Sequence, residues 1–306
     1  MHMKTDRSRL MKVINSRCRI EKNGNFSLKN HETDWSNTPE LEDLSNKKLK
    51  KRARNILSDN LKQLSEAQEL LYASNKHSLL LIFQAMDAAG KDGTIKHVMS
   101  GINPQGCEVF SFKKPSALEL DHNFLWRYTM RTPERGRIGI FNRSYYEDVL
   151  VVKVNPELLT KVTDNQSITT DFWQGRYEDI NNLEKHLTRN DTIVLKFFLN
   201  VSKEEQRNRF LERLNDPDKH WKFSTSDLSE RAKWDKYMDA FEDAINATSS
   251  SWAPWYVIPA DHKWIMRSLI STIVTDKILA LKPRPPEVTP AKKDLIAKAL
   301  RQFVNE

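Results

Sequence analysis

Glycine is scarce in this chain of 306 residues, which holds only eight. Glycine serves wherever a backbone must turn left-handed or approach another group closely. Four of the eight, Gly90, Gly93, Gly101 and Gly106, fall within residues 90–106. Cysteine is scarcer, at two, and neither Cys18 nor Cys107 stands in a Cys/His cluster. That argues against a disulfide framework or a zinc site and for a reducing compartment, here the cytoplasm. No apolar run reaches the roughly 18 residues of a membrane span. The N-terminus, MHMKTDRSRLMKVINSRCRI, is basic but has no apolar stretch of the kind a secretory signal carries. No internal repeat is evident.

What remains is an ordinary core-forming mixture, 39% hydrophobic and 29% charged, with a net charge of +8. The excess suggests an anionic partner, but it is unevenly spread. Residues 1–22 carry seven Lys/Arg against two acids, 113–143 seven against three, and 282–306 six against three, so the rest of the chain is net negative. Both ends therefore inflate the charge, and the stretch 113–143 bears on function.

Residues 1–45 are polar and read as a surface-wrapping or partly disordered arm. A helix follows to about Ala73, opened by Lys47, Lys48, Lys50, Lys51, Arg52 and Arg54, a cluster that reads first as a solvated face. Five short apolar runs then read as buried strands: 78–84, 108–112, 137–141, 192–200 and 255–259. Helices are expected between them, at about 117–129, 171–188, 202–214, 228–248 and 263–281. This alternation predicts an α/β fold with a mostly parallel five-stranded sheet covered on both faces. The Pro-rich KPRPPEVTP ends the domain, leaving a linker and charged tail over 282–306. Ligands of such sheets sit beyond the carboxyl ends of the strands.

Just there, after the first run, stands AMDAAGKDGT. A strand, a tight turn with Gly-Lys and a helix have the geometry of a phosphate-binding loop, whose backbone N–H groups and helix N-terminus would face an anion, and a plain surface turn is the alternative reading. Against the Walker A pattern G-x-x-x-x-G-K-[ST], Ala85 replaces the first glycine and Asp92 the hydroxyl residue. Ala88, Ala89, Gly90, Lys91, Asp92, Gly93 and Thr94 are the candidate phosphate binders. Asp87, inside the loop, is either a turn-stabilising residue or a ligand for Mg²⁺, which favours one or two carboxylates plus phosphate oxygens.

After the 137–141 strand come Asn142 and Arg143, the latter a candidate phosphate clamp. Glu147 and Asp148 either complement a helix dipole or orient a metal, a base or an arginine. Lys113 and Lys114 follow the 108–112 strand as surface lysines or phosphate contacts. Beyond 192–200, the stretch 203–236 carries Arg207, Arg209, Arg213, Lys219 and Lys222 among many acids. It reads as a mobile lid or as a plain helix–loop–helix.

Together, QAMDAAGKDGTIKHV, SFKKPS, GIFNRSYYEDVLVVKV and DPDKHWKFSTSD resemble the motifs of the family-2 polyphosphate kinases, over roughly residues 45–281. The resemblance implies a three-layer α/β/α P-loop kinase-like fold, with a catalytic domain over 46–281 and a helical lid over about 203–236. It implies phosphoryl transfer from inorganic polyphosphate to AMP and ADP, with Mg²⁺, or alternatively Mn²⁺, as cofactor. Asp87 would hold the metal, Lys91 the transferring phosphate and Arg143 neighbouring phosphates. Lys113, Arg209, Lys219 and Lys222 would line the polyphosphate path. Many members carry Asp where this chain has Asn142. The Asn form with a Glu five residues on, here Glu147, resembles the subgroup that phosphorylates nucleoside mono- and diphosphates. Adenine nucleotides, or alternatively guanine nucleotides, would be the acceptors, and a homodimer or homotetramer is expected. No membrane and no nucleic-acid partner is expected. The competing readings are an ATP-dependent nucleoside or nucleoside-monophosphate kinase and a polyanion-binding protein without turnover.

Overall fold

A computed structural model describes residues 2–21, 25–35, 46–159 and 168–306, without the side chains of 2–9 and 46. Parts of the N-terminal arm therefore lie outside the described residues.

The strands are β1 (Arg19–Ile20), β2 (Ser78–Gln84), β3 (Cys107–Ser111), β4 (Ile138–Asn142), β5 (Thr192–Asn200) and β6 (Trp255–Pro259). They form one sheet in the order β1-β6-β5-β2-β4-β3. All pairings are parallel except that of β1 with β6. Parallel neighbours need crossover connections, and helices supply them on both faces. The helices Asn46–Ser74 and Lys263–Ala280 pack together on one face, and Thr170–Arg189 and Trp234–Thr248 on the other.

The sheet has six strands where five are expected. The extra one is the two-residue β1, too short to show as an apolar run. It lies in the stretch read as an arm, whose described residues reach into the core. Ile14, Cys18, Ile20, Phe26 and Trp35 are all buried. The His2–Arg17 helix precedes β1, and Cys18 O accepts from Val257 N at 2.8 Å.

The central strands are apolar because both faces are covered: all seven residues of β2 are buried. Each Leu, Ile or Phe so placed contributes about 1.5–3 kcal/mol. Among the described residues, the one ion pair wholly inside this core is Lys196 of β5 with Glu184, 2.5 Å apart. Lys196 Nζ also donates to Thr248 O at 2.8 Å, and the hydroxyls of Tyr145 and Tyr146 lie 3.0 and 2.8 Å from Glu184 Oε1. The buried charges are thus saturated with partners, as burial requires.

Several expected helices are broken. The 117–129 stretch forms two single turns, Ala117–Leu120 and Trp126–Thr129, and the helix expected from 228 divides into Thr225–Ala232 and Trp234–Thr248. The tail is itself helical over Pro290–Val304 and exposed throughout.

Candidate active site

Register sets the site. Phe83 pairs with Asn142 on one side and Phe197 on the other, so the 85–90 loop leaves the sheet between β4 and β5. Its last turn is left-handed: Ala88 has φ 60° and Gly90, which precedes the Lys91–Val98 helix, φ 105°. A side chain at Gly90 would be strained in that conformation, which frees the helix N-terminus to face the cleft. Arg143, φ 66°, makes a second left-handed bend straight after β4, fixed by its N–H donating to Phe83 O at 3.0 Å.

These two bends face each other. Arg143 Nη2 lies 2.6 Å from Asp87 Oδ1. Lys91 is 8% exposed and curls back over the loop, donating to Ala85 O at 2.8 Å and Met86 O at 3.2 Å. Burial, reinforced by Arg143, holds the Lys91 ammonium below the usual lysine range, against the pull of Asp87, Glu147 and Asp92. An arriving anion would reverse that bias. Asn142 Nδ2 donates to Asp92 Oδ1 at 2.7 Å, so the residue after β4 touches the residue after the loop lysine.

Glu147 lies beneath this layer. Burial pushes its carboxyl up, opposed by Arg143 and Lys91. Asp148 is pushed up to about 6 by burial, opposed by Arg176, whose Nη1 is 3.2 Å from Asp148 Oδ1. Tyr145 and Tyr146, between Arg143 and Glu147, are the tyrosines anchored on Glu184.

The cleft over the loop has a volume of about 590 Å³. Asp87, Ala88, Gly90, Lys91, Asp92 and Gly93 form its floor, with Asn142 and Arg143 beside them. Lys113 flanks it from the end of β3, and Lys219 and Lys222 reach it from the 203–236 stretch. Two of the candidate phosphate binders stay outside. Ala89 is fully buried, and the buried Thr94 turns its hydroxyl towards Met266 Sδ at 3.6 Å.

Arg209 reaches the cleft wall, but its donors are engaged with the protein. Nη1 donates to Ala89 O (2.6 Å) and Ala88 O (3.3 Å), Nη2 to Ala260 O (2.6 Å) and Asp261 O (3.0 Å), and Nε to Glu205 Oε1 (2.7 Å). The guanidinium thus ties the phosphate loop to the turn after β6. Gln206 completes the tie: its Nε2 donates to Asp87 O at 2.8 Å, and its Oε1 accepts from Arg231 of the Thr225–Ala232 helix at 2.6 Å. The 203–236 stretch therefore connects to the loop through Arg231 and Gln206, while its tip is open, with Trp221 79% exposed and Lys222 Nζ 4.9 Å from that ring's centroid.

Sequence reasoning missed Gln206, Asp227 and Lys263, all near the loop. Asp227, in the cleft wall, is pushed up by burial and by Asp87. Nothing local marks these residues: they reach the site from turns and helices more than a hundred positions after Asp87.

Among the described residues, no three His, Cys, Asp or Glu side chains gather to hold a metal ion. A protein-only cage is therefore not what the site offers. Asp87, inside the loop, shares the cationic cleft with Asp92, Glu212 and Asp227, and a carboxylate so placed fits a hard cation that keeps water and takes phosphate oxygens as its other ligands.

The sequence pattern of the family described as polyphosphate kinase 2 (PPK2) matches residues 46–285. The chain belongs to the family-2 polyphosphate kinases. As in kinases generally, its chemistry is group transfer, and it is an enzyme. Among curated family-2 relatives, the ADP-polyphosphate phosphotransferase of Rhodopseudomonas palustris is 53% identical over 257 residues, 83% of this chain and 89% of that one. The AMP/ADP-polyphosphate phosphotransferase of Meiothermus ruber is 41% identical over 278 residues, 91% and 98% of the two chains. The crystal structure of polyphosphate kinase 2 from Arthrobacter aurescens superposes with a TM-score of 0.81 at 36% identity, covering 94% of this chain and 96% of that one. That likeness supports the α/β architecture described above.

Proposed function

We propose that this enzyme transfers phosphoryl groups reversibly from inorganic polyphosphate to AMP and ADP. The observation that carries the reading is the convergence of Lys91, Arg143, Lys113, Lys219 and Lys222 on one cleft over a phosphate loop. A phosphate oxygen of the acceptor attacks the terminal phosphorus of the chain. The anhydride bond to the next phosphate breaks, and the shortened polyphosphate leaves with the electron pair. The attacking oxygen is already anionic, so no protein nucleophile is required. Catalysis then rests on positioning and charge neutralisation. Lys91 and Arg143 hold the reacting phosphates, the loop N–H groups face them, and Lys113 with the lid lysines offset the remaining charge. Asp87 would hold Mg²⁺, in preference to Mn²⁺, which would neutralise phosphate charge there. Glu147 sits within the same electrostatic reach.

The finer assignments belong to the same reading: adenine rather than guanine acceptors, a homodimer or homotetramer, and the cytoplasm. Both cysteines are free, as a reducing compartment would leave them. No helix among the described residues is long and apolar enough to cross a membrane.

The relatives' names differ on AMP, so the test offers both acceptors. The purified protein is incubated with polyphosphate, Mg²⁺ and either AMP or ADP, with ATP as an alternative donor, and products are separated chromatographically. ADP and ATP should form with polyphosphate as donor. No product from either acceptor, or turnover with ATP alone, overturns the proposal. Asp87→Asn and Lys91→Ala should each abolish turnover while keeping the circular dichroism spectrum. Retained activity in both removes the loop from the mechanism.

A further inference from the structure

Behind the phosphate loop lies a second cavity of about 340 Å³, walled by the Asn46–Ser74 and Lys263–Ala280 helices and the turn before the latter. Its cations are Lys50, Arg54, Lys263 and Arg267. Two acids share the wall, but both are committed elsewhere. Glu205 accepts from Arg209 Nε at 2.7 Å, and Asp261 accepts from Thr33 Oγ1 and the Ser202 N–H, each at 2.7 Å. Among the described residues, no carboxylate stands within ion-pairing distance of Lys50, Arg54 or Arg267.

Arg267 is the odd member. Its Nε is buried without a hydrogen-bond partner. Burial, and then the neighbouring Arg209, push its pKa down. A guanidinium left beside another cation with an orphan N–H costs free energy, and an anion in the cavity removes that cost.

Two features join this cavity to the cleft. Lys263 lines both. Gly93, on the cleft floor, also lies close to Arg267, whose Nη2 is 3.5 Å from where a Cβ would stand. A ligand with charge repeated along its length could occupy both places at once.

We propose that this cavity binds the distal, non-reacting length of the polyphosphate donor, which passes Lys263 from the cleft towards Lys50 and Arg54. The inference rests on polyphosphate being the donor. It also gives a role to part of the basic cluster that opens the Asn46–Ser74 helix. A chain of identical phosphates needs repeated cations and no base recognition, which is what this wall presents.

The test is the double variant Lys50→Gln/Arg54→Gln, two exposed changes on a helix surface. Steady-state kinetics are measured with tripolyphosphate and with a chain of several tens of phosphates. KM for the long chain should rise about tenfold, equivalent to about 1.4 kcal/mol for two lost contacts. Its log–log salt dependence should flatten by about 1.4, at about 0.7 per lost phosphate contact. KM for tripolyphosphate and both kcat values should not move. Equal shifts for the two donors, or no shift for either, overturn the proposal. Inorganic phosphate separates the alternative of an independent anion site. If it alters tripolyphosphate turnover in the wild type but not in the variant, the cavity takes free anions and not the donor tail. Equilibrium binding of the long chain without nucleotide reads the cavity independently. Wild-type binding that the variant weakens upholds the cavity even where turnover fails, and undiminished binding rejects it.

Discussion

Replacing Asn142 with Asp perturbs the site through one contact. The amide donates to Asp92 Oδ1 at 2.7 Å. Asn142→Asp replaces that donor with a second carboxylate at nearly the same distance. Two unit charges 2.7 Å apart repel by about 1.5 kcal/mol in water and about 6 kcal/mol at an effective dielectric of 20. Asp92 is exposed, so the lower figure governs. Losing a hydrogen bond to a charged group adds about 1.5 kcal/mol. A destabilisation of about 3 kcal/mol follows, expressed as a raised apparent pKa of the carboxylate pair. The sign is that of a raised acid. Below about pH 4, the ordinary carboxylate value, the protonated pair carries no repulsion. As pH rises through the raised value the penalty develops, and it is complete near neutrality. Denaturant melts from pH 4 to 8 should show the variant close to wild type at the acid end and progressively weaker above. Millimolar Mg²⁺ should restore much of the loss, because paired carboxylates bind a divalent cation. The same preparations should show a changed AMP/ADP turnover ratio. A stability difference that is flat with pH and indifferent to Mg²⁺ would refute this account of Asn142, and an unchanged ratio would remove the residue from acceptor choice.

Glu184→Gln should cost about 3–5 kcal/mol by stranding the Lys196 ammonium in the core; adding Lys196→Met should recover a large part, and strictly additive losses in denaturant titrations would contradict the coupling. Glu147→Gln should raise the melting temperature at pH 7–8 and leave it unchanged at pH 4, since burial raises the Glu147 pKa and the penalty exists only where the carboxyl is ionised. Its turnover should fall, and a variant equally active would place Glu147 outside the chemistry. Arg209→Met should lower kcat sharply and loosen the loop by orphaning the carbonyls of Ala89 and Ala260; faster amide exchange over 85–95 is the readout, and unchanged exchange would leave Arg209 as an ordinary cleft cation.

The sheet was legible because its strands are buried on both faces. SLLLIFQ is apolar between its end residues, TIVLKFFLN is interrupted inside only by Lys196, and β2 and β5 begin and end where those runs do. β1 was not legible: two residues have no periodicity, and their pairing with Tyr256 and Trp255 is a fact of tertiary structure. The phosphate loop could be read because backbone geometry demands its glycine and its lysine. The partnerships of Arg209 could not. A sequence shows an arginine among charges at helical spacing, and only the folded chain shows its guanidinium spanning the carbonyls of two distant turns. The expected 117–129 helix failed for a local reason, since the Asp121, His122 and Asn123 run interrupts it and the Asn123 side chain accepts the Leu125 N–H at 3.1 Å.

The antiparallel β1 has a consequence for assembly. It occupies the margin of the sheet beside β6, so a strand from another molecule cannot pair with β6 itself. The opposite margin, β3, is open, with Glu108, Val109 and Ser111 exposed. β3, five residues long against two for β1, is the longer free edge, on the side from which Lys113 enters the cleft. Deleting residues 1–20 would replace the two-residue β1 edge with the five-residue edge of β6, a longer template for strand pairing.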